Sequence, residues 1–165
     1  MGEGFSPPIK LVPMSDCSIV VKQWGELTTS ELYSLLKLRT DVFLVEQKVD
    51  EEELDNRDQQ AQHFFISDAI GTAAYLRVLF DEEPEHLDAH RVIGRVVVRA
   101  DRRGEGLAQV LLTRVLSLYG GEAIMLHAQE YVAPLYAKAG FVAFGDAYDE
   151  AGIAHISMYR APANQ

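Results

Sequence analysis

Arg103, Gly104, Glu105, Gly106, Leu107 and Ala108 stand where an apolar, strand-like run, Val92 to Val98, gives way to a stretch with helical spacing. Two glycines at such a junction let the backbone approach an anion closely. The first turn of the helix that follows offers unpaired N–H groups and the positive end of its dipole. The chemistry this spacing predicts is phosphate binding, and Arg99 and Arg102 beside Arg103 add positive charge to a chain that is otherwise acidic. The segment is not a P-loop, because Leu107-Ala108 rather than Lys-Ser or Lys-Thr follows Gly106, so the ammonium and the magnesium-ligating hydroxyl are missing. It does not complete a dinucleotide fingerprint either, since Gln109 stands at the third small position. By itself the loop also reads as a glycine turn before a helix.

Proton carriers are scattered along the chain. Glu46 falls at the end of the first predicted helix, where a partly buried carboxylate would accept a proton, bind a cationic substrate or cap local structure; all three readings stay open. His63, His127 and His155 are rival carriers because imidazole titrates near neutrality, although a strand histidine is commonly a packed, hydrogen-bonded residue. His86 and His90 have the i, i+4 spacing of a zinc pair, but they lack the glutamate of H-E-x-x-H and lie in a polar stretch after Pro84, so a solvated loop is expected and no metal. Asp50, Glu51, Glu52, Glu53, Asp55 and Asp58 lack the glycine and spacing of a calcium loop and read as a solvated face or a rim that steers cations.

These residues must be positioned by an alternation of strands and helices. Ile19-Val20-Val21 marks a first strand within 18–24. Thr28 to Glu31 supplies capping hydroxyls and an acid for a helix running to about Phe43 or Glu46, and 50–62 is expected to be a surface loop or short helical turn. Strands follow from His63 and from Ala73 to Phe80, with Gly71 at a hairpin, and 81–91 is a polar connection. Val92 to Arg99 is the strand that delivers the loop. Leu107, Val110, Leu111, Val115 and Leu118 form the apolar stripe of the next helix, which ends at Gly120-Gly121. Strand, helix, strand and strand complete the chain at 123–129, 131–139, 141–148 and 153–159. The result is an α/β chain with a mixed sheet flanked by helices.

Composition sets outer bounds. At 165 residues, with 48% hydrophobic and 24% charged residues, the chain forms one domain and has no apolar run near the roughly 20 residues of a membrane span. Residues 1–16, with Pro7, Pro8 and Pro13, read as a flexible arm and 17–165 as the domain. Met1 to Ser6 fits a myristoylation pattern formally, but no basic cluster or second lipid site follows, so chance explains it and no membrane partner is expected. A single Cys17 and the lack of a secretory leader point to the cytoplasm. Twenty-five acidic against fifteen basic residues, a formal charge of −10, argue against a general nucleic-acid binder and either suit a cationic partner or serve solubility alone.

Arg103, Gly106 and Ala108 resemble, in order, the Arg/Gln-x-x-Gly-x-Gly/Ala pyrophosphate loop of the GCN5-related N-acetyltransferases (GNAT), and Leu135-Tyr136-Ala137-Lys138-Ala139-Gly140-Phe141 resembles that family's second cofactor segment. Three stretches, Arg39 to Gln47, Ile93 to Val97 and Gly152 to Met158, are similar to its ElaA-like branch. The resemblance runs from about Trp24 to Tyr159. It implies a single-domain GNAT-type fold with a mostly antiparallel mixed sheet, and acetyl transfer from acetyl-CoA to an amine in a ternary complex, without a metal. It further implies that main-chain N–H groups of Arg103, Gly104, Glu105, Gly106, Leu107 and Ala108 hold the pyrophosphate. The pantetheine arm would lie along Val96, Val97 and Val98, with the Val98 N–H at the thioester oxygen, and Tyr136 would protonate the leaving thiolate, as a phenol with a pKa near 10 can. Glu46 is then the candidate base or amine-binding residue. A CoA-binding regulatory protein with little chemistry and a nucleotide-phosphate binder are the alternatives. The acceptor, a small or protein amine, is not named, and the exposed last strand could pair in a homodimer.

Overall fold

β3, Thr72–Phe80, is buried along its length except at Phe80, because helices cover both faces of the sheet at its centre. The computed structural model describes residues 18–164; the expected arm at 1–16, the myristoylation pattern and Cys17 lie outside them. One seven-stranded sheet runs β1 (Ile19–Gln23), β2 (Gln62–Ser67), β3, β4 (Arg91–Val98), β5 (Ile124–Gln129), β7 (Ile153–Arg160) and β6 (Val142–Glu150). Every neighbouring pair is antiparallel except β4 with β5, so the sheet is mixed and mostly antiparallel, as expected.

α1, Thr29–Arg39, starts where the sequence suggests. The Thr28 hydroxyl accepts from the Glu31 N–H at 3.1 Å, while Glu31 accepts from the Thr28 N–H at 3.0 Å, which satisfies two of the donors a helix start leaves open. A π-helical stretch, Thr40–Glu46, continues α1 to the expected end. α2, Leu107–Tyr119, buries Leu107, Leu111, Leu112 and Val115. Leu118, placed on the predicted stripe, is instead 46% exposed, and Leu112 takes the inward place. The expected 131–139 helix is split into a 3-10 turn, Glu130–Val132, and α3, Ala133–Lys138, with Pro134 in its first turn.

Two cores result. On one face α2 and α3 pack with Phe64, Leu76, Ile93, Leu126 and Tyr136; on the other α1 packs with Phe65, Tyr75 and Val97. Among the described residues no helix is long and apolar enough to cross a membrane.

Candidate active site

β4 and β5 stay in register over three pairs, Arg91–Ile124, Val92–Met125 and Ile93–Leu126, and then separate. The cause lies in β4. Tyr75 of β3 pairs with Val97 and Arg77 with Gly94, so Leu76 faces one residue too many, and Arg95 takes up the excess with φ 52°. A bulge of this kind bends and twists the strand that carries it. The gap it opens is a cleft of about 790 Å³ with Val96, Val97 and Val98 on one wall and His127, Ala128 and Gln129 on the other. The Arg99 N–H donates to the Ala73 carbonyl on β3 at 2.8 Å, so by strand alternation Val98 directs its N–H and carbonyl toward the gap. The Val98 carbonyl accepts from Arg103 Nε at 3.2 Å, leaving the N–H as an open donor at an internal sheet edge.

Immediately beyond β4, Gly104 (φ 82°) and Gly106 (φ 76°) hold left-handed backbone, which a side chain would strain. Gly106 is the N-cap of α2 and contributes no capping side chain, so the first N–H groups of a 13-residue helix face outward beside Ala108. The arginines of the loop are already engaged. Arg99 pairs with Asp68 at 2.5 Å and Asp101 at 2.6 Å, and Arg102 with Asp68 at 2.8 Å and Glu105 at 2.6 Å. Arg103 holds Glu46 through two bonds of 2.5 and 2.6 Å. The guanidinium keeps the Glu46 carboxyl below the usual carboxylate range, which makes it a weak base in this state.

Tyr136 reaches the cleft from α3, 5% exposed, with Phe141 edge-on at 6.1 Å. Burial pushes its hydroxyl up, so it stays a proton donor across the neutral range. Leu126 and Ala128 share its core cluster, which places Tyr136 on the α2–α3 face of the gap.

The acidic stretch is not the solvated rim expected from its composition. Glu53 and Asp58 are buried, and Asp55 is a quarter exposed at its side chain. Arg39 bonds Glu53 at 2.6 Å and Asp58 at 2.7 Å, Arg77 bonds Asp58 at 2.9 Å and Asp55 at 2.5 Å, and Arg95 bonds Glu53 at 3.1 Å. Three guanidinium groups thus neutralise three carboxylates beneath one end of the cleft. Burial alone would raise the Asp58 pKa, but the bonds from Arg39 and Arg77 outweigh it and hold the carboxyl low. Glu51 and Glu52 remain exposed on the cleft lining.

The histidines divide by environment. His63 is fully buried, with Nδ1 2.7 Å from the Tyr75 hydroxyl and Nε2 2.9 Å from the Asp58 carbonyl, a packed residue of the network. His155 bonds the Ile153 carbonyl and stacks on Tyr148. His86 stacks on Phe144 while His90 bonds the Asp81 carbonyl, so the i, i+4 pair has separate partners. His127 is a third exposed, in the cleft wall, between Ser157 at 2.9 Å and Glu85 at 3.0 Å.

Sequence reasoning missed the arginines of the network. The signals were present: Arg39 continues the buried spacing of Leu35 and Leu38, and Arg77 interrupts the apolar run of β3. Nothing in the sequence marks Arg95 for positive φ, nor the 2.9 Å bond from Gln129 to Gln47 across the cleft.

The model of an acetyltransferase (GNAT) domain matches residues 33–161. A UPF0039 protein of Schizosaccharomyces pombe is 38% identical over 88% of this chain and 97% of its own, and protein ElaA of Escherichia coli is 35% identical over 82% and 91%. The crystal structure of an acyl-CoA N-acyltransferase from Pseudomonas aeruginosa superposes with a TM-score of 0.77 at 37% identity, covering 88% of this chain and 99% of that one.

Proposed function

The chain belongs to the GNAT acetyltransferase family, in its ElaA-like branch, and from that premise we propose that it transfers an acetyl group from acetyl-CoA to an amine acceptor by direct transfer in a ternary complex. The observation that carries this reading is the separation of β4 from β5 directly above the uncapped start of α2. That arrangement supplies the two fittings a CoA thioester needs: an internal strand edge for amide groups and a concentration of main-chain N–H donors for a pyrophosphate.

In this reading the N–H groups from Arg103 to Ala108 bind the pyrophosphate, and Val96, Val97 and Val98 accommodate the pantetheine arm as an added strand. When bound, the CoA thioester supplies the acyl group and a thiol that can leave. The Val98 N–H is oriented to donate to the carbonyl oxygen as charge develops there. Tyr136, kept protonated by burial, donates to the departing sulfur. Glu46 acts at the mouth: once phosphate oxygens compete for Arg103, its carboxylate is available to the cationic acceptor, with Glu51 and Glu52 beside it.

A thiol-release screen of acetyl-CoA against an amine library, followed by mass spectrometry of the products, tests the activity. Gly106→Val tests the site, since a branched side chain at φ 76° strains the turn and obstructs the approach of an anion. The free variant escapes a left-handed backbone penalty of about 1–2 kcal/mol by turning the segment out of its binding geometry, so CoA affinity by calorimetry falls about five- to thirtyfold. Unchanged affinity in a folded variant excludes the loop.

A further inference from the structure

His127 is the first β5 residue beyond the last pair with β4, at the point where the cleft opens. Its neighbours Leu126 and Ala128 point into the core shared with α2 and Tyr136. By strand alternation His127 projects from the opposite face, the face on which Met125 packs with Ala89, Phe144 and Tyr159. There it meets Ser157, its cross-strand partner on β7, and Glu85 from the β3–β4 loop. Tyr148 of β6 stands edge-on at 6.2 Å, with His155 and Glu150 behind it.

We propose that His127 is the proton acceptor for the incoming amine, reached through the Ser157 hydroxyl and oriented by Glu85. This assignment rests on the acyltransfer reading above and adds to it the group that takes the proton. The polarity of the chain follows from chemistry. A carboxylate only accepts, so Nε2 carries the hydrogen that Glu85 receives. Nδ1 is then the free lone pair, accepting from the Ser157 hydroxyl at 2.9 Å. The cationic acceptor first releases one proton to solvent; as the neutral nitrogen forms its C–N bond and the C–S bond breaks, it passes a second proton to Ser157 Oγ, and the Ser157 proton moves to Nδ1. The imidazolium so formed is paired with Glu85. The thiolate takes its proton from Tyr136, and solvent later returns the His127 proton to the phenolate, so the cycle balances. Tyr136 and His127 both line the cleft, one on each face of the sheet, so the donor to the leaving group and the acceptor from the nucleophile have separate positions at one gap. Glu46, tied to Arg103 and held deprotonated, is the poorer base.

The test has two arms. In the free protein, nitrogen-15 NMR finds the neutral His127 ring as the Nε2–H tautomer, and the Nδ1–H tautomer gains population in Glu85→Gln; an Nδ1–H ring in the parent overturns the assignment whatever the activity. With a primary amine from the screen, His127→Gln lowers kcat by about 100-fold while CoA affinity holds, and it abolishes the acid limb of the kcat/KM profile. That limb shares its midpoint with the parent ring, followed by the same NMR. A folded His127→Gln protein with parental kcat and pH profile overturns the base alone, whereas a parent that transfers no acyl group overturns the proposed function and the base with it.

Discussion

The Glu46 carboxylate, at the end of the π-helical extension of α1, grips both terminal nitrogens of Arg103 in the loop before α2, 57 residues away. One contact therefore joins the α1 side of the cleft to the loop proposed to bind phosphate. Phosphate oxygens and the carboxylate compete for the same guanidinium. Glu46→Gln removes that carboxylate and its negative charge, so CoA is expected to bind about two- to fivefold tighter, the range for a solvent-exposed pair. The acceptor KM is expected to rise in the same variant. Calorimetry and steady-state kinetics at two salt concentrations check both, and unchanged CoA affinity would show that Arg103 is not contested.

Tyr136→Phe removes a hydroxyl while keeping a buried ring against Phe141. Turnover should fall by about 10- to 1,000-fold, the scale of a general acid, with CoA affinity nearly unchanged. Equal turnover in variant and parent would reduce Tyr136 to packing.

Asp58 accepts from two buried arginines, Arg39 and Arg77. Asp58→Asn leaves charge uncompensated in the interior and should cost about 3–5 kcal/mol, as breaking a buried pair does. Urea denaturation measures it. A loss under about 1 kcal/mol would mean that water or the remaining carboxylates compensate the arginines.

Stability should fall in two stages as the pH is lowered. Burial keeps the His63 ring from binding a proton as readily as it does in the unfolded chain. Below about pH 6.5 the unfolded state therefore takes up more protons, and stability declines until the folded ring titrates. Hydrogen bonds from Arg77 hold Asp55 low, those from Arg99 hold Asp68 low, and those from Arg39 and Arg77 hold Asp58 low against its burial. Their contribution is complete above about pH 4 and is lost as pH falls below it. Thermal unfolding from pH 8 to pH 3 should show both declines, and His63→Gln should erase the first. A parent curve flat between pH 7 and pH 5 would contradict the role of His63.

The sequence by itself determined what local chemistry can encode. Paired glycines before an amphipathic stretch announce the start of α2, Thr28 with Glu31 announces the start of α1, and the order of β-branched runs and apolar stripes yields the strands and helices to within a few residues. Tertiary structure decided everything that depends on pairing across the chain. The composition of 50–58 is the same whether its carboxylates face water or arginines, and only the packing of Arg39 and Arg77 against that segment turns a charged run into a buried network. The divergence of β4 from β5 is likewise invisible locally: Arg95 adopts a left-handed backbone because the register with β3 demands one extra residue, not because arginine prefers it. His127 and Ser157 lie 30 residues apart and Glu85 lies 42 residues from the ring, so their chain exists only once β5, β7 and the β3–β4 loop have met.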